Sequence, residues 1–553
     1  MNPLRASPKN GTNSYGILYE QLMPNAFFEQ PILNSPYERP SRHWELGEDG
    51  QPTQKVIASR RPARFITPIP TARKTSKGAE ERQQLVFDEG EGLSTSEQAY
   101  EATSQYINDL RQHVDVWRSE GYRGVTPETA RLLNHWRDPD ALGRRPFFCQ
   151  LEAVESVVWL TEVAPSLGTS SVTGKEARVF LDRLKSASEE ANPGLERLAM
   201  KLATGAGKTM VMAMLIAWQA INAVRHPQSP RFTKGFLVVT PGITIRDRLR
   251  VLLPSDPLNY YQHQRIVPYD LFPELGKAKV VITNYHAFKR RERVEISKGG
   301  RQLLEGQTGE PVETLESEGQ MLRRVMPELM GMRSILVLND EAHHCYREKP
   351  DANEKLTGEE RKEAEQNAET ARLWISGLEA AQRKIGVRRV LDLSATPFFL
   401  RGSGYAEGTL FPWTMVDFSL MDAIECGIVK LPRVPVADNI PMNDVPMYRE
   451  LWTHIRKDMP KKPRGKGDLD PQKLPAPLYT ALEALYGHYD ETFEAWRQEG
   501  LKVPPCFIIV CNNTATSKAV YDWISGYTRE DEDGTEEFVP GRLELFRTHD
   551  QNH

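Results

Sequence analysis

The sequence predicts an α/β fold with a parallel sheet, and two observations carry that prediction. One is the run Ala203-Thr204-Gly205-Ala206-Gly207-Lys208-Thr209, set between a short apolar stretch at 198–202 and a strongly apolar one at 210–224. Strand, glycine turn, Lys-Thr and helix is the layout of a phosphate-binding loop. The other is a series of four apolar runs at 236–240, 279–282, 335–338 and 390–393. Short apolar runs without alternation read as strands buried on both faces, which is the condition of a parallel sheet.

Each element of the glycine run has a physical role. Thr204, Gly205, Ala206 and Gly207 form the turn whose backbone N–H groups converge on phosphate oxygens. The apolar segment at 210–224 suits a buried helix, and its N-terminus adds a positive dipole end. Lys208 is placed to reach the β- and γ-phosphates, and the Thr209 hydroxyl to ligate Mg²⁺. The full pattern places a glycine five residues before Gly207, where this chain has Leu202.

The four apolar runs end in polar residues. These endings are Thr240-Pro241-Gly242, Thr283-Asn284-Tyr285-His286, Asn339-Asp340-Glu341-Ala342-His343-His344 and Ser394-Ala395-Thr396-Pro397. Residues just past strand C-termini lie where α/β sheets bind ligands. A carboxylate there, beside a phosphate loop, can hold Mg²⁺, and its neighbour can orient and deprotonate a water. Asp340 is assigned to the metal and Glu341 to the water.

The order of these motifs resembles superfamily 2 helicases and translocases. Gln150, in Pro146-Phe147-Phe148-Cys149-Gln150-Leu151, is similar to the upstream adenine-reading glutamine of that superfamily. More narrowly, the segment 393–433 resembles the restriction (Res) subunit of type III restriction enzymes, notably in Ser394-Ala395-Thr396-Pro397-Phe398-Phe399, Phe411-Pro412-Trp413 and the run from Asp417 to Glu425. The resemblance implies a RecA-like P-loop lobe using ATP and Mg²⁺, with Gln150, Thr204, Gly205, Ala206, Gly207, Lys208 and Thr209 on the nucleotide. It implies coupling roles for His343, Ser394 and Thr396, and a path for double-stranded DNA along Thr240, Pro241, Arg246, Thr283 and Asn284. A DNA methyltransferase (modification) subunit is the implied protein partner.

Composition fits a large ATPase. A chain of 553 residues accommodates about three to four domains. The mean hydropathy of −0.53 suggests charged surfaces and polar insertions. No apolar run reaches the roughly 20 residues a membrane helix needs, and Gln219 and Asn222 interrupt the segment after the phosphate loop. The N-terminus lacks a signal-peptide pattern. Five scattered cysteines without a Cys-x-x-Cys pair indicate neither a zinc knuckle nor a disulfide framework, so a reducing cytoplasm is expected. The net charge of −4 does not exclude DNA, because binding follows local phosphate contacts. Two basic clusters are candidates: Lys289-Arg290-Arg291 with Arg293, Lys298 and Arg301, and Arg456-Lys457 through Lys466.

Four regions are expected along the chain. Residues 1–140 form an N-terminal accessory region of extended segments, punctuated by Phe27-Phe28, Tyr37 and Trp44, and then helices. The first helix runs over 96–119 behind a capping box at 94–97; the second begins at Thr126-Pro127-Glu128, with proline at its first position. Residues 141–430 form the first RecA-like lobe, with polar insertions at 300–319 and 351–369. A linker and helical bridge covers 431–500, the latter part helical over 478–500. Residues 501–553 open a second RecA-like lobe with a strand at 504–511 and a helix to Gly526. The chain then stops, and Gly541-Arg542 does not complete the arginine-finger motif of the superfamily, so a truncated product or fragment with little turnover of its own is expected, the alternative being that a partner chain completes the lobe. Pro350-Asp351 with Glu360-Arg361-Lys362 formally matches a metal-nuclease pattern, but the interval is polar and helix-prone, so it is read as a surface helix. The leading reading is a DNA translocase module of a type III-like restriction enzyme. The alternatives are a nucleotide-binding remnant without turnover and a repair or remodelling helicase.

Overall fold

The computed structural model describes residues 26–47, 50–63, 95–168, 172–291, 315–349, 358–431, 451–460, 469–530 and 536–548, with side chains omitted at 95–103, 172–173, 358–360, 530 and 536. The capping box at 94–97, residues 293–301 of the first basic cluster, residues 461–466 of the second, and Pro350-Asp351 lie outside the described side chains. The chain divides into two compact units at 432/433.

In the first unit an antiparallel hairpin, β1 (His43–Leu46) and β2 (Pro52–Ile57), precedes a six-stranded sheet. The sheet comprises β3 (Arg197–Leu202), β4 (Gly235–Thr240), β5 (Lys279–Asn284), β6 (Ile335–Asp340), β7 (Val387–Ser394) and β8 (Thr414–Phe418). Its order is β5-β4-β6-β7-β3-β8, and every pairing is parallel. The expected parallel α/β lobe is therefore present. β8 was not anticipated, because its five residues include Asp417 and lack a continuous apolar run.

The absence of alternation in the strands has a direct cause. Leu198, Met200, Leu202, Phe236, Val238, Leu336, Leu338, Leu391 and Leu393 enter one core. Leu237, Val239, Ile335, Val337 and Val390, the intervening residues, enter a second core on the other face. Helices α1 (Thr95–Ser119), α2 (Pro127–Arg137), α3 (Phe148–Val158), α4 (Val172–Ala191) and α5 (Lys208–Arg225) contribute to the first. Helix α6 (Gly358–Lys384) supplies Trp374, Ile375 and Leu378 to the second. The polar stretch read as an insertion at 351–369 thus becomes, from 358, the first half of a long helix.

Helix α5 is apolar all round because it is enclosed: every residue from Met210 to Asn222 is buried. Its two polar interruptions are matched. Gln219 accepts from the Thr233 N–H at 3.1 Å, and Asn222 donates to the Thr129 hydroxyl at 2.9 Å. Helix α2 starts as its sequence indicates, with the Thr126 hydroxyl accepting from the Thr129 N–H at 3.2 Å.

Residues 33–47 and 50–63 run as a strap across this unit. Leu33 and Asn34 donate backbone N–H groups to the Glu425 carbonyl, in the short helix α7 (Leu420–Glu425). Arg60 makes a bidentate pair with Glu152 on α3 at 2.5 and 2.6 Å. Phe27 and Trp44 are buried against Ile424.

The second unit has its own core, built from helix α8 (Ala476–Gln498), helix α9 (Thr514–Ser525) and neighbouring residues such as Leu469, Leu474 and Leu543. A hairpin of β9 (Gly526–Glu530) and β10 (Glu536–Pro540) follows. The strand expected at 504–511 is not formed. Burial alternates along it, with Ile508 75% and Val510 91% exposed, but among the described residues no strand lies beside it, so no ladder exists.

Candidate nucleotide-binding site

The phosphate loop follows β3 and caps α5. Leu202, standing where the full motif has glycine, is the buried last residue of β3 and pairs with Phe418 of β8. The turn itself closes with Ala206 N–H donating to the Ala203 carbonyl at 3.0 Å. Gly205 and Gly207 have φ of +85° and +81°, a region that side chains disfavour. Thr204 and Gly205 are exposed, Ala206 is buried, and Gly207, Lys208 and Thr209 are half-buried at the base of α5.

Three strand ends meet at this loop. Lys208 Nζ lies 2.9 Å from Glu341 Oε1. Glu341 Oε2 lies 3.5 Å from His343 Nδ1, which is 2.9 Å from the Ser394 hydroxyl at the end of β7. The Thr396 N–H donates to the same hydroxyl at 3.0 Å, with the Thr396 side chain exposed. Thus Lys208, Glu341, His343, Ser394 and Thr396 form one connected chain. Glu341 has φ of +51°, a left-handed conformation that a non-glycine residue adopts at a cost of about 1–3 kcal/mol.

Electrostatics separate the two carboxylates. Burial, and then the neighbouring Glu341 charge, push the Asp340 carboxyl up to about 6. Burial, and then His344, hold His343 down at about 4, so its ring is neutral at pH 7. A divalent cation offsets both causes of the Asp340 shift, and the Thr209 hydroxyl in the first turn of α5 is a hard oxygen donor. The donor set therefore fits Mg²⁺, and the paired positive-φ glycines fit a polyphosphate.

Gln150, the residue expected at the adenine, is bonded to the phosphate loop in this structure. Its carboxamide Nε2 donates to the Ala206 carbonyl at 2.8 Å and to that of Gly207 at 3.4 Å, while its Oε1 accepts from the Phe147 N–H at 2.9 Å. Both ends are engaged, and they hold the phosphate loop against the N-terminus of α3. Sequence reasoning placed the residue at the site but not on the loop backbone.

The residues expected on DNA are less uniform than the sequence suggests. Thr240, Thr283 and Asn284 are buried. The Thr240 hydroxyl donates to the Gly242 carbonyl, and Asn284 Oδ1 accepts from the Ala287 N–H as a helix cap. These side chains are engaged in shaping the strand ends. Pro241 is half-buried, and Arg246 is partly exposed beside Asp247 at 2.9 Å. Lys289, Arg290 and Arg291 are exposed past the end of β5.

Sequence reasoning missed a buried polar network beneath the site. Arg197 on β3, fully buried, donates to Asp392 on β7 at 2.8 Å, to Asn192 at 3.0 Å and to the Cys345 carbonyl at 2.8 Å. Asp392 also accepts from Trp413 Nε1 at 2.9 Å and from Asn339 Nδ2 at 2.8 Å. Asn339 immediately precedes Asp340. The network ties the strands that lead into the phosphate loop, the carboxylate pair and Ser394. Its signal was available: charged and amide residues inside strands buried on both faces require partners.

A parallel sheet of this order with such a loop and carboxylate pair defines a RecA-like P-loop lobe. Residues 148–399 match the family model of the type III restriction enzyme res subunit, and this segment is a superfamily 2 helicase-type domain related to that subunit. The match begins at the first residue of α3 and stops before β8. No curated protein and no solved structure matches the chain. Among the described residues no helix is long and apolar enough to cross a membrane.

Proposed function

We propose that this chain is the ATP-dependent DNA translocase or helicase module of a type III-like restriction enzyme, acting on double-stranded DNA beside a DNA methyltransferase subunit. The observation that carries the reading is the meeting of Lys208, at the phosphate loop, with Glu341 at 2.9 Å, within a segment that matches the res subunit family. Lys208 and the loop N–H groups bind the triphosphate; Thr209 and Asp340 would hold Mg²⁺, which neutralises phosphate charge when bound. Glu341 orients the attacking water and takes its proton, and the Lys208 pairing keeps its carboxylate aimed at the loop. The His343–Ser394 hydrogen bond links that carboxylate to the end of β7 and is the candidate relay from nucleotide to motion.

The test is ATP hydrolysis with and without double-stranded DNA, and displacement of a triplex strand ahead of the moving protein. Lys208→Ala should abolish nucleotide binding. Glu341→Gln should retain binding and lose about 10²- to 10⁴-fold in turnover. Glu341→Gln hydrolysing at the parent rate would refute the base assignment, and hydrolysis indifferent to DNA would refute the translocase.

A further inference from the structure

The edge of the sheet opposite the phosphate loop carries a row of cations. The loop and the Asp340-Glu341 pair follow strand C-terminal ends, whereas Lys234, Lys279 and Arg333 stand at strand N-terminal ends. Their register is fixed by the ladder. Lys279 pairs with Gly235 and donates its N–H to the Lys234 carbonyl at 2.8 Å. Leu336 pairs with Phe236, so Ile335 is level with Gly235, and Arg333 precedes it by two residues. Adjacent strands lie about 4.8 Å apart, which places the three strand starts within roughly 10 Å. Arg231 and Lys277 lie in the segments entering β4 and β5.

All five side chains are exposed, and among the described residues none forms an ion pair with an acid. Nearby acids are few. Glu196 is paired with Arg389, Glu274 with Arg225, and Glu328 lies in the short turn Pro327–Leu329 that packs on β5. The chain as a whole has a net charge of −4, so the row is not a by-product of a basic composition.

The chemistry of the row selects its partner. None of the large exposed apolar side chains lies in these segments. A protein interface needs a desolvated apolar centre to anchor it. Contacts to a phosphodiester backbone need none, since counterion release from cations supplies the affinity. We propose that this edge holds the backbone of double-stranded DNA, as a sequence-independent contact separate from Pro241 and Arg246 at the opposite strand ends. The inference rests on the reading of the lobe as acting on DNA.

The experiment compares the full chain with the variant Lys234→Glu/Lys279→Glu/Arg333→Glu, titrating a labelled duplex by fluorescence anisotropy across a salt series. Each phosphate contact contributes about 0.9 to the slope of log K against log salt. The variant should lose roughly 2 to 3 from that slope, and lose affinity alike for unrelated sequences, with unchanged binding of a fluorescent ATP analogue. If the reversal variant loses nucleotide binding, Lys234→Gln/Lys279→Gln is read instead, with an expected slope loss of about 2. An unchanged slope, in a parent that does bind the duplex, overturns the inference and leaves the translocase reading intact. So does polyglutamate binding that the variant loses while its duplex binding is kept, since the edge would then take an acidic protein segment. A parent that binds no duplex at all overturns the translocase reading and this inference with it.

Discussion

Asp392→Asn would remove one charge and no volume from the centre of the sheet. Three donors converge on that carboxylate: Arg197 Nε and Trp413 Nε1 on one oxygen, at 2.8 and 2.9 Å, and Asn339 Nδ2 on the other, at 2.8 Å. An asparagine amide presents an NH₂ group to one of these donors in either orientation, so at least one is left unpaired, at about 1–3 kcal/mol. Arg197 then becomes a cation at 0% exposure without a counter-charge, and breaking a buried pair from one side costs about 3–5 kcal/mol. The two costs overlap, and a loss of about 4 kcal/mol is expected. Urea unfolding followed by tryptophan fluorescence reads it, since Trp413 and Trp374 both belong to the network. Arg197→Met/Asp392→Asn, which removes both charges together, should recover the part of the loss due to the buried unpaired charge and keep the cost of the unpaired donor. A single variant within about 1 kcal/mol of the parent would refute the account of the network as an interdependent buried cluster.

Further outcomes follow from the same geometry. Gly207→Ala forces a side chain into φ of +81° with its Cβ 2.1 Å from Gln150 Nε2, so nucleotide affinity measured by calorimetry should fall by at least about tenfold, the equivalent of 1.4 kcal/mol. Full affinity in this variant would show that the turn tolerates rearrangement. Burial pushes the Glu152 carboxyl up, but Arg60, Arg111 and Arg118 outweigh it and hold it at about 2, against 4.5 unperturbed. A depressed carboxyl contributes stability that is complete above the unfolded value and is lost as pH falls from about 4.5 through 2. The stability gap between the parent and Glu152→Gln should therefore narrow over that window in denaturation series at successive pH values, and a constant gap would count against the ion-pair account.

What could be read from the sequence was what is local. The Gly-x-Gly-Lys-Thr turn specifies its own backbone, because only glycine is comfortable at the two positive-φ positions. The strands leading to Thr240 and Asp340 were legible because burial on both faces makes each an unbroken apolar run, and those leading to Asn284 and Ser394 because Lys279 and Asp392 alone break the runs at 279–282 and 390–393. Less legible were features set by partners far along the chain. Arg197 and Asp392 are 195 residues apart, and each alone reads as an exposed charge. Thr240 and Asn284 looked available for ligand because hydroxyl and amide groups follow strand ends, yet local hydrogen bonds claim both. The stretch 504–511 has the composition of a strand, but a ladder also requires a neighbouring strand. Glu341 was read as the group that orients and deprotonates the water; its left-handed backbone, which aims it at Lys208, leaves no trace in the sequence.

Gln150 separates two accounts of nucleotide recognition that the sequence could not distinguish. If its carboxamide reads a base, Gln150→Ala should weaken ATP binding and leave inorganic pyrophosphate or tripolyphosphate binding unchanged. The observed bonds run instead to the carbonyls of Ala206 and Gly207, with Oε1 held by the Phe147 N–H. A residue that holds the loop in shape affects every ligand bound through phosphates. Losing one short neutral bond to the loop costs about 0.5–1.5 kcal/mol, or roughly three- to tenfold in affinity for ATP, GTP and tripolyphosphate alike. Gln150→Glu places an acceptor against the two loop carbonyls and should be worse than alanine, whereas a base reader would lose discrimination between ATP and GTP in either variant. Competition titrations with the three ligands decide between the accounts. Unchanged tripolyphosphate affinity together with weakened ATP affinity would refute the loop-holding role and return Gln150 to the base.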